Sequence, residues 1–190
     1  IVEIQRVRKK SRAHIRDGAL RDSFNYGTVT TIMNQNCDRL TDIYRVAEPL
    51  GVDFIGYQAV THDAMNKPNL VPPERIPLLQ REVDQLIAMK RSGARVGVTE
   101  QYLSLMPAYF TDPRSLLNDV SCYAGFRHFT LTATGHVNTC FGAILDPSAK
   151  GVLNLDIDVE RLWRMDPMRE TRAKMRTCED PCFLACWAGV

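Results

Sequence analysis

Five of the six cysteines fall after residue 120, in two groups. Cys122 and Cys140 are spaced C-x12-G-x4-C, with Gly135 as the glycine. Cys178, Cys182 and Cys186 form C-x3-C-x3-C, with Pro181 directly before Cys182. Clustered cysteines in a chain with no mark of secretion point to metal or redox chemistry. In one continuous helix Cys178 and Cys186 would stand about 12 Å apart along the axis, too far to share one compact cluster. Pro181 resolves this, because it disfavours helix at Asp180 and suits a fresh first turn. Cys182 and Cys186 are then expected about 6 Å apart on one helix face, with Cys178 approaching from the preceding loop. Soft thiolates select zinc, copper(I) or iron–sulfur clusters. A zinc-binding interaction module with four thiolate ligands and no enzymatic role is therefore one reading; an iron–sulfur protein is the other. Cys37 stands alone at a strand-to-helix turn and is expected to be a free, partly buried thiol.

The rest of the chain must position these groups. Its 190 residues suit one large domain, or a medium domain plus a small one, and 45% apolar content is enough for a core without disulfides. Lys plus Arg is 24 and Asp plus Glu is 22, a net charge of +2, which gives no electrostatic argument for nucleic acid or an anionic membrane. No apolar run reaches bilayer length, and the N-terminus IVEIQRVRKK lacks the apolar stretch of a signal peptide, so a cytoplasmic setting is expected. The first residue is Ile1 rather than Met, and a longer parent polypeptide is expected.

Residues 1–16 read as a helix whose basic run is a solvated face, since no aromatic residue interleaves the charges. Thr28–Met33 is β-branched and reads as a strand. Asn34-Gln35-Asn36 then turns the chain, with Asn36 as the expected N-cap of a helix carrying Leu40, Ile43, Ala47 and Leu50 on one face. Pro49 should disturb its last turn, and Gly51 suits the position past its end. Asp53–Val60 reads as a strand covered on both faces. Pro72-Pro73 opens a helix with Ile76, Leu79, Val83, Leu86 and Ile87 in a stripe, closed by Gly93, and Arg95–Val98 is a short third strand. Strands alternating with helices predict parallel pairing with helical crossovers, part of an α/β sheet or barrel. After about residue 110 the texture changes. Phe126–Thr134 and Val137–Phe141 predict a β-hairpin turning at Gly135, and Gly151–Leu155 a further strand. A short helix at Val159, Leu162 and Trp163 and a second from Asp166-Pro167 to Met175 complete the pattern.

The C-x12-G-x4-C hairpin, the Leu-Trp helix, the Asp-Pro-Met-Arg segment and the closing C-x3-C-x3-C-Trp resemble the SPASM or twitch extension of radical S-adenosylmethionine enzymes. The strand Thr28–Met33, the Asn turn and Leu50-Gly-Val-Asp-Phe-Ile-Gly-Tyr resemble the later β/α units of that family's partial barrel, so the resemblance covers roughly residues 25–190. It implies an α/β fold: residues 1–110 as the second half of a partial (β/α) barrel, and 111–190 as a small α+β cluster-binding domain. It also implies an auxiliary 4Fe–4S cluster on Cys122, Cys140 and Cys186, with Cys178 or Cys182 as the fourth ligand. The implied activity is radical modification of a peptide or protein substrate by the parent enzyme, using S-adenosylmethionine.

The chain departs from the family pattern in three places. The C-x3-C-x2-C loop that binds the family's catalytic cluster does not occur in these residues, so the missing first half of the barrel is expected to supply it. The later cysteine group is shorter than the full seven-cysteine pattern, which favours one auxiliary cluster. Phe141 follows Cys140, where the sulfatase-maturing branch places a catalytic Asp, so that residue's role does not carry over.

Overall fold

The computed structural model describes residues 26–62, 65–118, 122–127, 130–131, 137–138, 159–164, 166–178 and 182–183. The expected N-terminal helix, the Gly135 turn, the strand at 151–155, Cys140 and Cys186 lie outside them.

The two apolar, β-branched runs pair as expected. Strand β1 (Gly27–Ile32) runs parallel to β2 (Phe54–Ala59), in register from Gly27 against Phe54 to Ile32 against Ala59. Helix α1 (Leu40–Ala47) makes the crossover between them, and Glu48–Leu50 tightens into a 3-10 turn at Pro49. Gly51 then takes the left-handed conformation (φ 66°), which costs glycine nothing. Helix α2 (Ile76–Arg91) returns the chain to Val96, which bridges Ile55 in parallel. The expected third strand is thus a single bridge, closed by Ile55 N–H on Arg95 O (2.8 Å) and Gly97 N–H on Ile55 O (2.9 Å).

Ile32, Ile55, Tyr57, Leu40, Tyr44, Leu79, Val83 and Leu86 share one buried core. Tyr57 is fully buried and its hydroxyl donates to Leu40 O at 3.0 Å. Burial pushes this phenol far above its usual range, so it remains a donor.

Asn36 does not cap α1. The helix begins only at Leu40, and the Asn36 carboxamide serves the turn instead. Its Oδ1 accepts from Met33 N–H (2.9 Å) and its Nδ2 donates to Thr31 O (2.9 Å). The first turn of α1 is satisfied from α2, where Glu82 Oε2 accepts from both Thr41 N–H (2.8 Å) and Thr41 Oγ1 (2.9 Å). A carboxylate at a helix N-terminus meets orphan donors and the positive end of the dipole together.

Phe54 lies across the two glycines that flank it on the sheet. A Cβ on Gly27 would come within 2.5 Å of the ring, and one on Gly97 within 3.0 Å of Phe54 Cβ. Because the Gly97 clash reaches the root of the side chain, rotation alone does not relieve it. Gly97→Ala should therefore destabilise the chain by about 1–3 kcal/mol, read as a lower urea midpoint at unchanged slope.

Helix α3 (Glu100–Thr111) has no counterpart in the sequence expectations. Thr99 caps it, accepting from Tyr102 N–H at 3.0 Å. It buries Tyr102, Leu103, Met106, Pro107, Tyr109 and Phe110 and packs on α2. Beyond it, β3 (Thr130–Leu131) and β4 (Val137–Asn138) pair antiparallel, Thr130 opposite Asn138, as the hairpin pattern predicts. Helices α4 (Val159–Arg164) and α5 (Asp166–Met175) follow at the expected places.

Candidate functional site

The sequence singled out Cys122, Cys140, Cys178, Cys182 and Cys186, of which Cys122, Cys178 and Cys182 are described; all three are half-buried. Among the described residues no group of three or more His, Cys, Asp or Glu side chains is assembled as a metal-ligand set. The ligand set implied by the resemblance has only two members within them, Cys122 and one of Cys178 or Cys182.

The scaffold around these cysteines has its own logic. After Cys122 the chain turns at Gly125 (φ 72°), with Phe126 and Arg127 N–H both donating to Tyr123 O at 3.0 Å. Helix α5, which leads directly to Cys178, is fastened to this turn. Arg172 donates to Gly125 O (3.4 Å) and to Trp163 O of α4 (3.0 Å), and its guanidinium sits 5.5 Å from the Trp163 ring centroid. One turn further on, the Arg176 guanidinium lies 6.0 Å from the Phe126 ring centroid. Met168 is fully buried. The approach to Cys178 is in this way tied to the segment that follows Cys122.

Cys182 is positioned through contacts with a different element, α3. Its neighbour Phe183 is 4% exposed and stacks on Tyr102 (centroids 4.5 Å, 14°) and on Tyr109 (5.1 Å, 25°), both from α3. Its carbonyl accepts from the Tyr102 hydroxyl at 2.7 Å. Phe183 has φ 40°, a conformation that costs an L-residue roughly 1–2 kcal/mol. Phe183 itself therefore lies outside the right-handed helical region, and the remainder of the helix expected up to Cys186 lies outside the described residues.

Tyr109 carries the contact on to the carboxyl end of β2. Its hydroxyl accepts from His62 N–H (3.1 Å), and the His62 ring meets it edge-on at 4.8 Å. The carboxyl ends of parallel strands are where open α/β sheets bind ligands. His62 Nε2 is buried with no hydrogen-bond partner among the described residues. Burial lowers the imidazole's pKa. The unfolded chain therefore binds the proton more readily than the folded one. The stability that depends on neutral His62 is complete above about pH 6.5 and is lost as pH falls below that value toward the lower folded pKa. His62→Phe should flatten this slope in urea titrations between pH 7 and pH 5; an unchanged slope would refute the assignment.

At the end of β1, Arg75 holds the turn by donating to Asn34 O and, at 2.9 Å, to Asn34 Oδ1, and pairs with Asp38 at 2.8 Å. Cys37 is completely buried rather than partly so, its thiol directed at Asn34 O (3.6 Å). Burial raises its pKa against the opposing pull of Arg75, which keeps it a core thiol.

Sequence reasoning missed His62, Tyr102, Tyr109 and Phe183 as a group. The signal for the helix that carries the tyrosines was the i, i+1, i+4, i+7, i+8 spacing of Tyr102, Leu103, Met106, Tyr109 and Phe110. No helix among the described residues is long and apolar enough to cross a membrane. Compared with protein-family models, with curated proteins and with solved structures, the chain matches none of them.

Proposed function

We propose that the chain is part of a radical S-adenosylmethionine enzyme acting in the cytoplasm. Residues 1–110 would form the second half of its partial (β/α) barrel, and residues 111–190 a SPASM or twitch-like domain. Cys122, Cys140, Cys186 and either Cys178 or Cys182 would ligate one auxiliary 4Fe–4S cluster. The observation that carries this reading is the C-x12-G-x4-C segment built on an antiparallel hairpin, in a chain whose described residues open with parallel β-α-β pairing. The donor chemistry fits, since half-buried thiolates are the natural ligands of such a cluster.

An auxiliary cluster would supply electron transfer or substrate contact beside the barrel. The chain's own residues have the task of holding it. Arg172 ties the Cys178 helix to the Cys122 turn, and Phe183 ties the Cys182 segment to α3. A peptide or protein is the substrate class proposed, by analogy with the family. The open ends of β1 and β2, near Asn34 and His62, are the surface toward which it would be presented.

Anaerobic reconstitution with iron and sulfide tests this directly. The 190-residue chain should turn brown and retain about four irons and four sulfides. It should not cleave S-adenosylmethionine by itself, because no C-x3-C-x2-C loop occurs in it. A colourless chain that retains zinc instead would establish a thiolate zinc module. Formation of 5′-deoxyadenosine by the isolated chain would also overturn the assignment.

A further inference from the structure

The geometry points to Phe183 as a positioning residue: clamped between Tyr102 and Tyr109, it fixes the adjacent Cys182 against α3 and the carboxyl end of β2. The inference rests on the proposed ligand role for the closing cysteines and goes beyond it, because it assigns a residue that neither spacing nor resemblance singles out.

Three features converge on this one residue. The ring is sandwiched, with both stacking partners near parallel at 14° and 25°. The carbonyl of the same residue is bound by the Tyr102 hydroxyl, across 81 positions of sequence. The backbone sits at φ 40°, a conformation a phenylalanine adopts only when its surroundings over-determine it. The stacked ring and the bound carbonyl hold Phe183 against the cost of its backbone angle, and Cys182 is one peptide unit away.

The partners are themselves rigid. Tyr102 and Tyr109 are two turns apart on one helix, both almost fully buried. Tyr109 in turn accepts from the His62 main chain. Phe183 is thereby joined through Tyr109 to the end of β2. Aromatic pairs contribute about 0.5–1.5 kcal/mol beyond area burial, and two of them act on Phe183.

The test uses the full chain with Tyr102→Phe, which removes one hydroxyl and keeps the ring, and Phe183→Ala. In the metal-free protein, alkylation of Cys182 is followed by mass spectrometry, with Cys37 as the internal control for opening of the α/β core. Cys182 should react about fivefold faster in Tyr102→Phe and about a hundredfold faster in Phe183→Ala, with Cys37 unchanged. In the reconstituted protein, the electron paramagnetic resonance spectrum and midpoint potential of the reduced centre should shift in Tyr102→Phe at unchanged iron content. A merely structural contact would leave both where they are. Identical alkylation rates and identical spectra in parent and variants would overturn the inference. A parent chain that takes up no iron yet shows the alkylation pattern would remove the cluster assignment and leave the clamp standing.

Discussion

Cys140→Ala will strip the reconstituted chain of its iron and, in the same step, unfold the region from residue 120 to residue 190. Among the described residues the hairpin pairs Thr130–Leu131 with Val137–Asn138. An isolated two-stranded hairpin is marginal in water, so pairing of this length needs support from elsewhere. The proposed metal centre would provide it, because a site that hardly exists in the unfolded chain contributes its binding free energy to folding. That contribution is on the order of 10 kcal/mol for structural zinc sites, several times what the short strands can supply. The α/β unit has its own core and should survive. Iron analysis, together with limited proteolysis, separates the outcomes: the variant should lose iron and be cut beyond residue 118 while residues 26–111 stay protected. A variant that keeps its iron would exclude Cys140 as a ligand.

Leu79→Ala should have the largest effect inside the α/β unit. Leu79 is completely buried on α2, in the core shared with Leu40, Ile55 and Leu103. Truncating a buried leucine to alanine costs about 2–5 kcal/mol, the lost transfer free energy plus the cavity left behind. Against a typical total of roughly 5–15 kcal/mol this is a large share of stability. Urea unfolding followed by far-ultraviolet dichroism should show the loss as a lower midpoint at unchanged slope. A loss below about 1 kcal/mol would mean the site collapses around the smaller residue.

The legible parts of this fold are those where a local pattern and the tertiary contacts agree. The Thr28–Met33 run, Pro72-Pro73, the Leu79–Val83–Leu86 stripe and Gly51 each announce an element, and the structure forms it there. The Asn36 reading failed because a remote group took the role: Glu82 of α2 supplies the acceptor that a local cap would have given. Helix α3 was not expected from the sequence; it carries Pro107 in its interior, a residue that removes one helical hydrogen bond. The site divides in the same way. Cysteine spacing is a local property and could be read directly. The contact of Phe183 with Tyr102 depends on residues far apart in the chain, and no periodicity or motif encodes it.

That separation bears on how the molecule is made. Closing a loop of 81 residues costs roughly 4 kcal/mol of chain entropy before the contact returns anything. The β1–β2 pairing spans a much shorter stretch and needs only residues that leave the ribosome early. The slot between Tyr102 and Tyr109 is therefore built while the closing cysteines are still being synthesised. Phe183 then enters a receptor whose residues were synthesised before it, and brings Cys182 with it. A cofactor loaded at that point would meet its protein ligands after the α/β unit had folded, and its binding would then be coupled to the folding of the residues beyond that unit.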